Sequence, residues 1–331
     1  MFITPIIKEM TSVRKRGIIL LVLLIVLGLG PVSALATPTQ DIVNEVSQAK
    51  YTDYLDDYLY AHTGDDRGLT GAQHDLARAN IYSAFDGFGL STSLDPFLYS
   101  GSTYYNVVGV HTGTVHPEQI YIAGAHYDSV NNPGADDNAS GVAGVLEAAR
   151  VLSQHEFEST LIFIAFDREE QGLYGSAAYA SAHNADDIQA MISLDMIAYN
   201  PAANPDKAGI YYATDNTPLT QALSDSLSTY GGITATIGQM GRSDHESFDN
   251  NNFSSCLLIE YNFSGTWANP NYHKATDALE TPNYIDFAYA TNMTRGAVGY
   301  LVESATLVII PEPAGLGLIA MVLLVIRHRR C

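Results

Sequence analysis

The stretch "GAHYDSVNNPGADDNASG", Gly124–Gly141, sets one histidine (His126) and three aspartates (Asp128, Asp136, Asp137) among small, turn-forming residues. Further along come Asp167, Glu169 and Glu170 in "FDREEQG", Asp195 in "SLDM" and His273 in "NPNYHKATDALE". Carboxylates gathered in this way repel one another and need a cation or strong donors nearby. One shared carboxylate, two imidazoles and two further carboxylates form a donor set suited to a pair of divalent ions about 3.5–4 Å apart. Nitrogen and oxygen donors without a thiolate favour Zn²⁺ over Mg²⁺ or Ca²⁺, with Mn²⁺ and Co²⁺ also compatible. The neighbours Glu169 and Glu170 then divide the work, one binding metal and the other free to take a proton from water.

Each cluster alone has a blander reading. "DDNASG" is a turn and helix N-cap, an aspartate-rich glycine-containing loop binds calcium through oxygen, and "EEQG" is a solvated helix start. His126 and His273 argue against calcium, and the clusters taken jointly point to a metal site.

Apolar runs of strand length alternate with helical patterns and must position these groups. Strands are expected at Tyr105–Val110, Gln119–Ala125, Thr160–Phe166, Ala190–Leu194, Gly209–Ala213 and Ser255–Ile259. Helices are expected at Ala139–Ser153, Tyr174–His183, Pro218–Tyr230 and Asn283–Glu303. A strand such as "LIFIAF", apolar at every position, belongs to a sheet buried on both faces. The fold class is therefore α/β, a single three-layer α/β/α domain around a mixed, mostly parallel sheet. Sites in such sheets form just beyond the carboxyl ends of strands. His126, Asp167 and Asp195 each stand at such an end, so the acidic groups can converge at one edge.

In this order the motifs "HYDS" (126–129), "GADDNASG" (134–141), "EEQGLYGS" (169–176), "LDM" (194–196), "SDH" (243–245) and "YHKATD" (272–277) resemble the co-catalytic dizinc aminopeptidases of clan MH, of the bacterial leucyl aminopeptidase type. The resemblance runs over roughly Asn106–Glu303 and implies a zinc peptidase fold with two Zn²⁺ per chain. Carried over by position, it implies that His126 and Asp195 bind one zinc, that Glu170 and His273 bind the other, and that Asp136 bridges them. It further implies Glu169 as general base and acid, Asp128 as the partner orienting His126, and a cis peptide at Asp136–Asp137. The chain departs from the family before "SDH", where "GQMGR" puts Met240 and Arg242 in place of a tyrosine that steadies the oxyanion. Arg242 is expected to take that role or to hold a substrate carboxylate, and His245 to sit in or beside the pocket. Tyr261, Phe263 and Trp267 are expected at the pocket wall or packed on the sheet edge, and the remaining histidines, His74 among them, in the surface or core.

The ends of the chain read differently from its middle. Lys8, Arg14, Lys15 and Arg16 precede the apolar run Gly17–Leu29 and the small-residue site Ala34-Leu35-Ala36, the pattern of a signal peptide over 1–36. At the other end, Pro311-Glu312-Pro313, the apolar run Ala314–Ile326 and Arg327-His328-Arg329-Arg330 resemble a PEP-CTERM sorting signal over 311–331. That resemblance implies export, transient membrane association through the tail and processing by an exosortase-type enzyme. Of 16 basic and 36 acidic side chains, the leader holds four and one and the tail three and one; residues 37–310 keep 9 and 34, a net of −25. Such a domain is repelled by nucleic acid and anionic lipid. Cys256 and Cys331 are the only cysteines, which rules out an internal disulfide framework. The expected function is an exported zinc aminopeptidase acting on peptides. Its alternatives are a carboxypeptidase or dipeptidase of the same fold, a single-zinc glutaminyl cyclase, and a non-catalytic surface protein.

Overall fold

Strand β4, Ser159–Phe166, is buried along its length, and from Leu161 on it is apolar because both of its faces are covered. Leu161, Phe163 and Ala165 enter one core, while Ile162, Ile164 and Phe166 enter the other. Side chains alternate across a strand, so two cores on successive residues mean two helical layers with the sheet between them. The computed structural model describes residues 38–60, 66–68, 72–214, 216–261 and 269–309. From Thr39 onward they cluster as one unit. The expected leader 1–36 and tail 311–331, and with them Phe263 and Trp267, lie outside the described residues. Among the described residues no helix is long and apolar enough to cross a membrane.

The sheet has eight strands in the order β1-β2-β4-β3-β5-β8-β6-β7. Besides β4 they are β1 (Ser91–Tyr99), β2 (Ser102–His111), β3 (His116–His126), β5 (Asp187–Leu194), β6 (Lys207–Tyr212), β7 (Thr234–Gln239) and β8 (Ser255–Glu260). β4, β3, β5 and β8 run parallel in the centre, and β6 pairs parallel with β7. β2 joins β4, and β6 joins β8, antiparallel. The mixed, mostly parallel α/β/α architecture expected from the sequence is the one observed. Two strands escaped the sequence reading, β1 and β7, and both are edge strands.

Helices α1 (Pro38–Val43), α2 (Gln48–Asp53) with its continuation Tyr54–Tyr60, α3 (Ala72–Gly87), α4 (Gly141–Leu152), α6 (Thr217–Ser226) and α8 (Phe287–Ala305) feed the larger core. Opposite them, α5 (Tyr174–Ala182) and α7 (His245–Asp249) supply Tyr179, Ala180 and Phe248 to the second. Tyr51, Tyr54 and Tyr60 are buried. The strand register aligns the site. His126 pairs with Phe166, so Asp167–Glu170 begin one residue beyond it, and Gly124 pairs with Ser193, which brings Asp195 level with His126.

Candidate metal centre

His126 ends β3 and is 1% exposed. Its Nδ1 donates to the Asp128 backbone carbonyl at 3.1 Å, with the Asp128 carboxylate 3.5 Å away. Nε2 is thereby turned to the cleft, 3.3 Å from Asp137 Oδ1 and 3.5 Å from Asp195 Oδ1. On the other side, His273 Nε2 lies 3.2 Å from Asp137 Oδ2 and 3.3 Å from Glu170 Oε2. Each oxygen of Asp137 therefore faces a different imidazole. The donor atoms of His126, Asp137 and Glu170 lie within 4.8 Å of one another, as do those of His126, Glu169 and Asp195.

These spacings discriminate between an ion-pair network and a metal site. A charge-assisted N–H···O bond closes to about 2.7–2.9 Å, whereas the four contacts span 3.2–3.5 Å. Ligand atoms at about 2.0–2.2 Å from a tetrahedral zinc are separated from each other by roughly 3.3–3.6 Å. Asp137 Oδ2 and Asp195 Oδ1, both buried, have no hydrogen-bond partner. Buried polar atoms are normally satisfied, so these two oxygens aim at something that lies between the side chains. Imidazole and carboxylate donors without a thiolate fit zinc.

Asp136 does not bridge the site. It points into the scaffold, its Oδ1 accepting from Ser140 Oγ and Ala198 N, both at 2.9 Å, and its Oδ2 from Asn269 Nδ2 at 3.0 Å. The loop turns the two aspartates to different neighbours, and the one that faces the imidazoles is Asp137. The cis peptide bond likewise falls one step later, at Asp137–Asn138. His245 stands beside the pocket: it is fully buried, and its Nε2 donates at 2.8 Å to the carbonyl of Met240, a residue that lines the cleft. Burial lowers its pKa and keeps it neutral.

Several residues hold the loop without entering the cleft. Asp277, the last residue of "YHKATD", accepts the backbone N–H of Asp136 at 2.7 Å and of Asp137 at 3.1 Å. It thereby ties the His273 segment to Asp137. Asn138 donates to Leu194 O and accepts from Met196 N, fixing the loop against the end of β5. Asp128 accepts the N–H groups of Glu169 and Glu170 at 3.1 and 3.3 Å. Its carboxylate thus holds the turn that carries both glutamates, in addition to standing beside His126. Arg67 donates to three backbone carbonyls of this region and carried no motif in the sequence. His74 and Tyr127 both bond Asp167 at 2.8 Å, which makes Asp167 a buried strut and not a ligand. Arg168 lies over the Tyr104 ring, 4.0 Å from its centre, and is fully buried.

Charge in the cluster follows from its crowding. Burial, with Asp195, Asp244 and Glu170 nearby, drives the Glu169 carboxyl well above its ordinary value against the opposing pull of His126. Burial and the charge of Asp137 raise Glu170 to about 7. Burial alone would raise Asp137, but contact with both imidazoles overrides it and holds it at about 2. Burial would lower His273, yet Asp137 and Glu170 lift it to about 10. The crowded carboxylates thus draw positive charge to this point, a proton on His273 when no cation is bound.

Above the cluster opens a cleft. Met196, Met240, Leu257, Ile259 and Tyr272 give it an apolar wall, and Arg242 lies on its rim. Tyr272 stacks on His273 with ring centres 3.7 Å apart. Tyr261 is not part of this wall; its ring lies 5.1 Å from Lys207 Nζ.

Known proteins share the family and the fold. Residues 106–297, more than half of the chain, match the model of "Peptidase family M28". A probable leucine aminopeptidase of Arthroderma otae is 32% identical over 243 residues, covering 68% of this chain and 63% of the relative. The chain spans only 56–63% of the length of the first such fungal relatives. Among solved structures, the LapA aminopeptidase of Legionella pneumophila superposes with a TM-score of 0.70 at 22% identity, over 81% of this chain and 74% of that one. An aminopeptidase from Aneurinibacillus sp. strain AM-1 gives 0.69 at 18% identity, over 84% and 98%. These structural matches establish the fold, and the family match establishes kinship: the chain belongs to peptidase family M28.

Proposed function

We propose that this protein is a two-zinc aminopeptidase that removes N-terminal residues from peptides. The observation that carries the reading is Asp137, whose two buried oxygens face His126 on one side and His273 on the other. His126, Asp195 and Asp137 would hold one ion, and Glu170, His273 and Asp137 the second. When bound, the pair supplies an acidified water and polarises the scissile carbonyl. Glu169 is the proton carrier. It is buried beside His126 and Asp195, and its raised pKa lets it take a proton from the attacking water and release it to the leaving amine. The apolar wall accepts the side chain of the N-terminal residue, and the acidic groups around Asp195 and Glu169 hold its amine. Arg242 supports the carbonyl oxygen from the rim.

Carboxypeptidase or dipeptidase action is the second reading, favoured by the exposed cation of Arg242 at the cleft, which could pair with a terminal carboxylate. A single-zinc cyclase would leave one of the two facing imidazoles without a use. The signal-peptide pattern and the Pro-Glu-Pro tail support export, membrane association through the tail and an exosortase-type partner, and a net of −25 over residues 37–310 suits an extracellular medium. The test is hydrolysis of amino-acid nitroanilides and of N-blocked or C-amidated peptides by the purified protein, stripped by chelator and reloaded with zinc. Activity that needs zinc and a free amine, and tolerates an amidated carboxyl end, is expected. Efficient cleavage of N-acetylated peptides from the carboxyl end would overturn it in favour of the second reading.

A further inference from the structure

Arg67 lies outside residues 106–297, the span matched by the family model, and is 0% exposed. Its Nε donates to the Tyr127 carbonyl at 2.8 Å, Nη1 to Pro133 at 2.8 Å and Nη2 to Gly134 at 2.7 Å. Its backbone is woven into the same loop, with Arg67 N donating to Ser129 Oγ at 3.0 Å and Ser129 N donating to Arg67 O at 3.3 Å. Tyr127 directly follows His126, and Gly134 stands three residues before Asp137. One planar, fixed fork thus bridges the two ends of the loop that separates a histidine from the bridging carboxylate. Gly134 has φ +60°, and a Cβ there would stand 2.9 Å from Arg67 Nη2, so the backbone is drawn against the guanidinium as closely as it can come. The buried charge also acts on Asp277, Asp128, Asp137 and Glu170, the acidic groups of the centre and its supports.

We propose that Arg67 is a positioning residue of the metal centre: by holding the Tyr127 and Pro133–Gly134 carbonyls together it sets the spacing of His126 and Asp137, and with it the affinity for metal. The inference rests on the reading of the cluster as a zinc site. A staple that served folding alone would lower thermal stability and leave the zinc affinity of the folded molecule unchanged. A positioning group changes affinity itself, and groups that orient metal ligands contribute about 10–100-fold.

The experiment compares the wild-type protein with Arg67→Lys and Arg67→Ala. Zinc affinity is measured by competition with a chromophoric chelator, at a temperature where thermal melts show each metal-free variant folded. Arg67→Lys keeps the charge and loses the fork, and its affinity is expected to fall about 10-fold or more. Arg67→Ala should fall further and recover in low-millimolar guanidinium, far below denaturing levels, but not in equimolar sodium chloride. Wild-type affinity in folded Arg67→Lys would overturn the proposal and leave the metal centre standing. A wild-type protein that retains no zinc would overturn the reading of the centre itself, and this inference with it. If Arg67→Ala does not fold, Arg67→Lys alone decides.

Discussion

Exchanging the two neighbouring aspartates for asparagine should separate metal binding from folding. In Asp136→Asn one carboxylate oxygen becomes an amide nitrogen. If it replaces Oδ1, Ala198 N loses its acceptor, while Ser140 Oγ keeps the Asp136 backbone carbonyl; if it replaces Oδ2, it meets the Asn269 amide. Asn269 cannot turn over without cost, because its own Oδ1 accepts from Asn271 N at 2.9 Å. One buried polar group left unpaired costs about 1–3 kcal/mol. Part is recovered, because burial has already pushed the Asp136 carboxyl up to about 6 and removing the charge removes that strain. The net loss should be about 1–2 kcal/mol, or roughly 2–8 °C in Tm for a domain of this size. Zinc affinity should stay within a few-fold.

Asp137→Asn should do the reverse. The substitution removes the one negative charge that both ions would share on the proposed reading, together with an oxygen that faces an imidazole. Zinc affinity should then fall by more than the roughly 10–100-fold that a supporting group contributes. Chelator competition for affinity and circular dichroism melts for stability, run on both variants, check the pair. Loss of zinc from Asp136→Asn with normal zinc in Asp137→Asn would refute the assignment of the bridging carboxylate.

Other perturbations bear on other parts of the site. Glu169→Gln should keep its zinc and lose roughly 10²–10⁴ in kcat, the worth of a positioned proton carrier; near-normal turnover measured with full metal would move the base elsewhere. In the metal-free protein the pKa of His273 lies above its unfolded value of 6.5, so its contribution to stability is full below about pH 6.5 and is lost as pH rises towards about 10. Zinc needs the neutral imidazole, so affinity should climb over that same interval, and pH-independent melts and titrations of stripped protein would contradict this. Gly141→Ala would set a Cβ 2.2 Å from Leu194 O and 2.3 Å from Asn138 Oδ1, and should cost about 1–3 kcal/mol in a urea titration.

The central sheet was legible because its strands are buried on both faces. "LIFIAF" needs no alternation to be read when Leu161 and Ile162 each have a core to enter. Strand β1, "STSLDPFLY", hid for the opposite reason. It is an edge strand, mostly exposed, and carries Pro96, which such a position tolerates. Strand β7, "TATIGQ", is an edge as well and has no fully buried residue. In the site, the groups at strand ends could be found from strand pattern alone, because the register delivers His126 and Asp195 to one level. Spacing could not choose between Asp136 and Asp137, since only the backbone path of the loop decides which one turns inward. Arg67 left no trace in the sequence, because its partners are carbonyl oxygens, which every residue carries.

That loop explains why its residues are of these types. Gly134 adopts a left-handed conformation against Arg67. Asp136 anchors to Ala198 and Asn269, and Asp137 turns to the two imidazoles. Asn138 spans to both Leu194 O and Met196 N, the residues flanking Asp195. Ser140 Oγ donates to Asp136 and accepts from Ile197 N, while its carbonyl accepts from Tyr51. Gly141 lets the loop lie against the end of β5 with no room for a side chain. Every polar group that does not face the cleft is thus committed to the scaffold, and Asp137 Oδ2 is left buried without a hydrogen-bond partner. A loop that satisfies its neighbours and leaves that oxygen unsatisfied is built around a charge supplied from outside the chain.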